Sequence, residues 1–399
     1  MARFFLSLAR ALRIAWPVHL FLWAEDAADA LEAELAQAFP TAVRRRESWL
    51  EADFDLAGQA LPTLAFARQW LPNAQRLQMD SIRGWAGAVA AAVAGVLPDD
   101  QPWSLHVVPH YGLSAARRIG ARAWHSRRLE ARAHRRTEPV SDGPAAAGAA
   151  AGRHRCRLIG DALVELLGQK RRHLLRRLRR EPAAFTAQDS LAQLLLTEPE
   201  TGFLSVVAAP LPFEQRQSLS PFPKGVVQPA ADPKAPSRAF AKLVEAEQRL
   251  GCAIRAGDLC VDLGAAPGSW TYAAANRGAR VTAVDRSPLR EDLMRHALVE
   301  FRPGDAFRFQ PARPADWLLC DVIAPPERTA ALLLHWLQQG WCRQFVVTLK
   351  LQEESGWEAI SSLKRELPQM AREWFLLRLC ANKKELCAFG SVAQRSKLG

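Results

Sequence analysis

A short loop with two glycines carries the clearest chemical signal in this sequence. Residues 261–270 read VDLGAAPGSW, in which an acid ends an apolar run and Gly264 and Gly268 flank a proline. Glycine allows a tight backbone turn and a close approach to a ligand, which a side chain would block. The segment lacks the GK[ST] of a Walker A loop, and its glycine spacing differs from the GxGxxG of dinucleotide sites. The pattern favours a nucleoside-type ligand without phosphates: S-adenosyl-L-methionine, with an NAD-type cofactor as its main competitor.

Polar side chains follow the ends of several predicted strands around this loop. From Asp258 onward apolar strands alternate with helical segments, and Asp285 ends the second strand, 23 residues after Asp262. The carboxyl ends of parallel strands in a doubly wound sheet share one edge, where ligands bind, and an acid there suits ribose hydroxyls. Later strands are predicted at 307–311, 316–321 and 344–350. The edge is expected to hold Asp262, Gly264, Gly268, Asp285, Asp321 and Lys350.

The N-terminal half also alternates strands and helices. The periodicity predicts a strand at 19–23, a helix ending near Phe39, a strand or buried turn at 61–72, a helix at 80–97 and a strand at 103–110. A leucine stripe predicts a helix that begins near Asp161, and two apolar runs separated by EPE predict a hairpin. A proline-rich stretch between Pro210 and Ser237 then predicts a domain boundary.

The positive charge of the chain is concentrated in one segment. The net charge is +12, and residues 117–180 hold 18 Lys or Arg against 5 Asp or Glu, whereas the remainder holds 35 against 36. A basic run of this length favours a nucleic-acid partner over a merely solvated surface. Residues 112–155 are the least patterned part and end in SDGPAAAGAAAG, which is typical of a flexible linker, so we expect that end to be disordered.

Other patterns argue against membrane, secreted and metal-binding proteins. No apolar run approaches the roughly 18 residues of a membrane-spanning helix, and Arg10 and Arg13 interrupt the apolar N-terminus where a signal peptide would be continuous. The seven cysteines include no CxxC pair and no histidine at zinc-binding spacing. We therefore expect a cytoplasmic protein with reduced thiols and no metal site.

The loop and its surroundings resemble a known enzyme family. DLGAAPGSW is similar to motif I of Rossmann-like methyltransferases, in the form DLGxxPGxW of the FtsJ-type ribose 2′-O-methyltransferases. Together with APSRAFAKLVEAE, LLCDV, GWCRQFVVTLKL, KKELC and LAFARQW, it resembles the RlmM family of bacterial 23S ribosomal RNA cytidine 2′-O-ribose methyltransferases. The resemblance covers most of residues 18–390 and is thin between residues 115 and 155.

The resemblance implies an α/β protein with an RNA-binding N-terminal region. The implied parts are an extension at 1–17, a ferredoxin-like α+β domain at 18–100, a THUMP-like domain at 101–215 with a basic insert at 112–155, a proline-rich linker at 216–236 and a Rossmann-like methyltransferase domain with a doubly wound, mostly parallel sheet at 237–399. The implied partner is large-subunit ribosomal RNA or its precursor, bound by a cytoplasmic monomer that does not contact membranes.

The resemblance also implies a catalytic tetrad, which falls on Lys242, Asp321, Lys350 and Glu385. A ribose 2′-hydroxyl must lose its proton as it attacks a methyl group, which requires a base and close alignment. We expect Lys350 to be that base, with its pKa depressed by burial and by the neighbouring cation of Lys242. Asp321 would orient the lysine near the methyl group, and Glu385 would hold Lys242 or the ribose.

Cofactor contacts follow from the same resemblance. They fall on Ala239, Asp262, Gly264, Ala266, Pro267, Gly268, Ser269, Asp285, Asp305 and Asp321. The family has serine in the place of Ala239 and a second glycine in the place of Ser269, so one polar contact is missing and the loop is bulkier. Trp270 and Trp341 are expected to be core residues rather than platforms for a base.

Each tetrad residue has a structural alternative. A lysine at a strand end is commonly solvent-exposed, Glu385 beside Lys383 and Lys384 resembles a surface cluster, and an aspartate can cap a turn. Their joint occurrence in the right order favours catalysis. Two other functions stay open: an RNA-binding ribosome assembly factor that has lost turnover, and a methyltransferase for protein or a DNA base, although CDVIAPP lacks the aromatic residue that follows the prolines in the latter.

Overall fold

The computed structural model describes residues 18–39, 43–54, 62–111, 144–351 and 356–392. Within them the strands are β1 Val18–Trp23, β2 Val43–Arg45, β3 Leu50–Ala52, β4 Ala67–Gln78, β5 Trp103–Pro109, β6 Ser190–Leu196, β7 Thr201–Val207, β8 Leu259–Leu263, β9 Arg280–Asp285, β10 Val299–Pro303, β11 Ala315–Cys320, β12 Cys342–Lys350, β13 Ala371–Leu377 and β14 Glu385–Val392. The helices are α1 Ala28–Ala38, α2 Ile82–Val96, α3 Pro144–Lys170, α4 Arg172–Arg177, α5 Phe213–Ser218, α6 Phe240–Leu250, α7 Ser269–Ala275, α8 Glu291–Met294, α9 Pro326–Gln338 and α10 Trp357–Met370.

The strands form two seven-stranded sheets, one in each half of the chain. We call the first sheet and its helices, residues 18–207, the N-terminal unit, and residues 239–392 the C-terminal domain. Strand β4 is the central strand of the first sheet, which is ordered β2-β3-β1-β4-β7-β6-β5. The first part of β4 pairs with β1 between Ala67 and Ala74, and its last part, Gln75 to Gln78, pairs with β7. Strands from the predicted ranges 18–100 and 101–215 therefore belong to one hydrogen-bonded sheet.

The second sheet confirms the predicted doubly wound α/β architecture. Its order is β10-β9-β8-β11-β12-β14-β13, in which β8 to β12 pair in parallel and β14 and β13 pair antiparallel. The chain winds outward from β8 to β10 and then returns to the other side of β8 as β11. The strand order therefore reverses between the carboxyl ends of β8 and β11. Folds of this kind bind ligands at this switch point.

Several predicted elements are confirmed, including β1 with α1, helix α2, strand β5 and the β6–β7 hairpin. Two predictions are wrong. The alanine-rich end of the 112–155 stretch is not a linker, because helix α3 already begins at Pro144 and not near Asp161. Alanine has the highest intrinsic helix propensity, and Cys156, Ile159 and Leu163 bury one side of the helix against the sheet.

The second wrong prediction concerns the strand expected at 307–311. The strand after β9 is β10, Val299–Pro303, and Phe307 follows a turn in which the carboxylate of Asp305 accepts a hydrogen bond from the Phe307 amide. An acid that caps a turn in this way competes with extended backbone. Residues 1–17 and 112–143, which carry the predicted extension and most of the basic insert, lie outside the described residues.

The proline-rich connection between the two halves is packed rather than loose. Gln69 of β4 and Ser220 exchange two hydrogen bonds, from the Gln69 side chain to the Ser220 carbonyl at 3.0 Å and from the Ser220 amide to Gln69 Oε1 at 2.7 Å. His106 of β5 lies 3.0 Å from the carbonyl of Pro221 through Nε2. The connection thus hydrogen-bonds to the face of the first sheet, and this contact holds the halves together.

The two halves also share a core. One buried apolar cluster contains Leu31 and Phe66 of the N-terminal unit together with Trp336 and Leu363 of the C-terminal domain. At its border the carboxylate of Glu34, 3% exposed, accepts two backbone amides and lies 2.7 Å from Lys364 Nζ on α10. No helix in the described part of the chain is both long and apolar enough to cross a membrane.

The Lys364–Glu34 pair gives a stability prediction. Lys364→Met removes the cation that pairs with the buried Glu34 carboxylate in the described part of the chain, so we expect the free energy of unfolding to fall by about 1–3 kcal/mol. Lys170→Met, on an exposed helical lysine, should change it by less than about 0.5 kcal/mol. Urea unfolding of the full chain measures both. Equal stability of the two variants would contradict the proposed importance of this contact.

Candidate active site

Four charged side chains from four different elements meet at the carboxyl edge of the second sheet. Lys242 lies in the first turn of α6, Asp321 directly follows β11, Lys350 ends β12, and Glu385 begins β14. The antiparallel register of β12 and β14 sets Lys350 directly opposite Glu385. Because β11 is the parallel neighbour of β12 on the other side, Asp321 leaves the sheet at the same level. Sheet pairing alone thus assembles three of the four residues.

The four side chains form a closed ring of ion pairs. Lys350 Nζ lies 2.6 Å from Asp321 Oδ1 and 2.7 Å from Glu385 Oε1. Lys242 Nζ lies 3.0 Å from Asp321 Oδ2 and 2.6 Å from Glu385 Oε2. Each lysine therefore contacts both carboxylates, and each carboxylate contacts both lysines. The structure brings together all four residues expected from the sequence.

The ring is largely withdrawn from solvent and balanced in charge. The side chain of Lys242 is 8% exposed, and Lys350 is the most accessible of the four at 22%. Burial acts to lower the pKa of Lys350, but the carboxylates of Asp321 and Glu385 outweigh it, and the pKa is raised. The expectation of a depressed pKa is wrong for this state, because it counted burial and Lys242 but not the negative charges of Asp321 and Glu385, which flank the lysine.

The glycine loop approaches the acid-bearing loop closely. Gly264 has φ +73°, and a β-carbon there would lie 2.8 Å from the Cα of Val322, the residue after Asp321. Gly268 has φ +107°, and a β-carbon there would collide with the side chain of Leu293. Both positions therefore require glycine, as the sequence predicted, and the loop lies against the ring.

Two predicted cofactor residues hold the loops at this edge. Asp285 accepts hydrogen bonds from the amide of Ala266 at 3.0 Å and from the amide of Ser287 at 2.8 Å, one on each carboxylate oxygen. Asp305 accepts the amide of Phe307 and pairs with Arg286 at 2.9 Å, and these contacts, the amide first, lower its pKa. Asp285 is only partly buried, so each of its oxygens keeps a lone pair for a further donor.

Asp262 lies under the loop and not at its surface. The residue is 1% exposed, and its Oδ2 accepts a 2.6 Å hydrogen bond from the hydroxyl of Thr271 on α7. Burial raises the pKa of Asp262 to about 7, and the negative charges of Asp321 and Asp285 add to this effect while Thr271 opposes it. The Asp262 carboxyl therefore supports the start of α7 through Thr271, and its ionisation depends on the charges of Asp321 and Asp285.

The two positions that depart from the family pattern lie next to each other. Ser269 is 4% exposed, and its hydroxyl lies 2.7 Å from the hydroxyl of Ser237, which also accepts the amide of Ala239. The indole of Trp270 donates to the Ala239 carbonyl at 2.8 Å and is buried, which confirms it as a core residue. Sequence reasoning missed Ser237, although it lies in the quoted segment APSRAF and only its neighbours were considered.

The sequence analysis also did not single out Ile323, close to Asp321 in the chain, or Arg328, which lies beside Asp305 and Phe307. Ile323, two residues after Asp321, is 91% exposed, and Arg328 lies 3.7 Å from the ring centroid of Phe307. Neither residue stands out in the sequence, because an isolated isoleucine is usually predicted to be buried in the core and an isolated arginine is usually predicted to be an ordinary surface residue. The seven cysteines are all free thiols, and the described residues contain no group of three or more potential metal ligands.

Comparison with known proteins agrees with the resemblance seen in the sequence. Residues 235–372 match the family described as "FtsJ-like methyltransferase". A protein from Thauera aminoaromatica named "Ribosomal RNA large subunit methyltransferase M" is 40% identical over 168 residues, which are 41% of this chain and 46% of that protein. The Azoarcus sp. (strain BH72) protein of the same name is 39% identical over 155 residues, 37% of this chain and 43% of that protein.

A third protein of that name, from Azotobacter vinelandii (strain DJ / ATCC BAA-1303), is 44% identical over 136 residues, 33% of this chain and 38% of that protein. The chain spans about half the length, or less, of the curated relatives it matches. The resemblance stated from the motifs is confirmed. The FtsJ-like methyltransferase fold of the C-terminal domain agrees with its sheet order.

The buried Asp262 gives a pH prediction. Its pKa lies above the unfolded value, so the folded state binds this proton more tightly and loses stability as pH rises from about 4 to about 7. A change of pKa from 3.8 to about 7 corresponds to at most about 4 kcal/mol. Relative to Asp262→Asn, the free energy of unfolding of the wild type should therefore decline over that interval. Urea titrations at several pH values measure it, and a difference that does not vary with pH would refute the assignment.

Proposed function

We propose that this protein transfers a methyl group from S-adenosyl-L-methionine to the ribose 2′-hydroxyl of a cytidine in 23S ribosomal RNA. The observation that carries the proposal is the closed ring of Lys242, Asp321, Lys350 and Glu385 beside a glycine loop at the switch point of the sheet. Its relatives named "Ribosomal RNA large subunit methyltransferase M" support the choice of substrate.

The residues around the glycine loop fit this cofactor. Gly264 and Gly268 let the loop lie close against Val322 and Leu293, and Asp285 keeps free lone pairs where ribose hydroxyls can donate. Asp305, held by the Phe307 amide and Arg286, is assigned to the adenine edge. The hydroxyl of Ser237, which is bonded to the Ser269 hydroxyl and accepts the Ala239 amide, lies beside the position where the family has serine. When bound, the cofactor supplies an electrophilic methyl group and a positive charge.

The ring supplies the base and its alignment. Asp321 and Glu385 hold both lysine side chains in fixed positions, so Lys350 Nζ needs no reorganisation when a hydroxyl arrives. The raised pKa means that Lys350 rests protonated, and a nearby positive charge favours loss of that proton. With cofactor and RNA bound, the neutral Nζ of Lys350 would accept the proton of the ribose hydroxyl as that oxygen takes up the methyl group.

The acceptor is assigned from features outside the ring. Five arginines on and beside α4 are exposed, namely Arg171, Arg172, Arg176, Arg177 and Arg180. Such a surface binds phosphates without reading sequence, and its affinity falls steeply with salt. Next to the ring, the exposed Ile323 offers an apolar contact for a base. We assign the nucleic-acid surface to the N-terminal unit and the chemistry to the C-terminal domain.

The first functional prediction concerns Lys350. Lys350→Ala removes the base, and we expect kcat for tritiated methyl transfer to unmethylated 23S ribosomal RNA to fall by at least about 100-fold. Lys383→Ala, an exposed lysine two residues before Glu385, should retain kcat. Alkaline digestion of the labelled RNA identifies the position, since only a ribose 2′-methyl makes the next phosphodiester resistant. Full activity of the Lys350 variant would exclude the proposed reaction. So would the absence of tritium from the alkali-resistant dinucleotides of RNA labelled by the wild type.

The second functional prediction is a pH profile. Because two carboxylates raise the pKa of Lys350, kcat should still increase with pH above neutrality, by about tenfold per pH unit while the base is mostly protonated. Glu385→Gln removes one anion, so the rising limb should move to lower pH by about one unit. Glu366→Gln, at a carboxylate that pairs with Arg365 away from the ring, should leave the profile in place. If the rising part of the pH profile of kcat does not shift in Glu385→Gln, or shifts to higher pH, then Lys350 is not the titrating group.

A further inference from the structure

We propose that Trp357 is a stacking platform for an unpaired RNA base beside the nucleotide on which the ring acts, an inference that rests on the proposed function. Trp357 begins helix α10. It is the only exposed tryptophan in the described part of the chain, with 41% of its surface open to solvent. Folded proteins bury most of the surface of their tryptophans. A flat aromatic surface left open beside a catalytic site is therefore available to a substrate.

Helix α10 starts at the same sheet edge as the ring. It follows β12, whose last residue is Lys350, so its first turn lies at the carboxyl edge of the second sheet. Gly356, with φ +117°, packs so closely that a β-carbon there would lie 2.7 Å from Cδ2 of Leu351. Because consecutive α-carbons are about 3.8 Å apart, this contact keeps the α-carbons of Lys350 and Trp357 within about 16 Å of each other. The ring and the indole are thus close enough to contact nearby nucleotides of one RNA strand.

A buried aromatic ring of the N-terminal unit supports the indole of Trp357. The ring centroids of Phe66 and Trp357 lie 5.8 Å apart with an interplanar angle of 57°, and Phe66 is 4% exposed. The Phe66 amide donates to the buried carboxylate of Glu34 at 3.0 Å, which fixes the backbone at this point. The tilted contact covers part of the indole and leaves the rest open. Because the indole is already held in place, a base that stacks on it orders little additional side-chain structure.

The described residues contain three large hydrophobic side chains that are exposed, and two of them follow strands that lead into the ring. Ile323, 91% exposed, lies two residues after Asp321, and its loop ends where Pro326 begins α9. A β-carbon on Gly356 would lie 3.6 Å from Cγ of Pro326, so this loop and the start of α10 are neighbours. Two separate apolar side chains are too small a surface for a stable protein partner, which needs about 800 Å² on each side. They suit single bases, since the flat face of any base can stack on an aromatic ring.

The first test is filter binding of unmethylated 23S ribosomal RNA to the full chain at constant salt. Loss of one stacked base should raise the Kd for RNA by about tenfold in Trp357→Ala. Trp357→Phe, which keeps an aromatic ring, should stay within about threefold of the wild type, whereas Trp357→Leu, which keeps only apolar bulk, should resemble Trp357→Ala. Met294→Ala, at a side chain that is also 41% exposed, should bind RNA like the wild type. Normal RNA binding by Trp357→Ala or by Trp357→Leu would overturn the proposal.

A second test separates stacking from a structural role of Trp357. Short synthetic RNAs that span the methylated cytidine each carry one abasic nucleotide near it. At one position the missing base should weaken binding to the wild type by the same factor as Trp357→Ala does, and the two changes together should weaken binding no further. Losses that multiply at every position would mean that the tryptophan acts only through folding, against the proposal.

Failure of the proposed function gives a different result. In the Lys350→Ala background, Trp357→Ala should weaken RNA binding by the same factor, because binding requires no methyl transfer. A wild type that binds the RNA but does not methylate it would refute the proposed function alone. A wild type that methylates the RNA and whose Kd for it is unchanged by Trp357→Ala would refute the stacking role alone.

Discussion

The closed ring of two lysines and two carboxylates is the constraint on which the C-terminal domain depends. Its members come from α6, the end of β11, the end of β12 and the start of β14. A buried charge that loses its partner costs several kcal/mol, and every member here has two partners. A shift of any one of these elements would therefore expose or strand a charge in another. The ring thus adds to apolar packing in fixing helix α6 against the sheet, and the glycine loop is positioned relative to that frame.

Much of this arrangement follows from the sequence, because it depends on local patterns. The alternation of apolar strands and helices from Asp258 predicts the parallel sheet, and the glycines at 264 and 268 predict the close loop. The electrostatic state of Lys350 could not be predicted in the same way, since it depends on which carboxylates face the amine across β12 and β14. The helix from Pro144 was missed because small residues have two readings, linker or helix, and only contact with the sheet decides between them.

The connection between the halves shows another limit of sequence reasoning. Proline-rich composition predicts a boundary but not whether the boundary is mobile. Here hydrogen bonds hold the connection on both sides. Gln69 and His106 of the first sheet bond to Ser220 and Pro221 of the connection. Gln217 of the connection bonds to the carbonyl of Trp374 in the C-terminal domain. With the core shared by Phe66 and Leu363, these contacts set one orientation of the N-terminal unit relative to the ring. The proposed RNA-binding surface and the ring are therefore held at one distance from each other in this structure.

Strand β4 has a consequence for how such a chain can change over evolutionary time. Its first part pairs with β1 and its last part pairs with β7, so both halves of the N-terminal sheet depend on the same strand. Neither half is therefore a self-contained module that recombination could exchange, since a cut on either side of the strand leaves the rest with an unpaired border and an open core. Because the N-terminal unit also shares a core with the C-terminal domain, its two halves and the domain that they contact must change together.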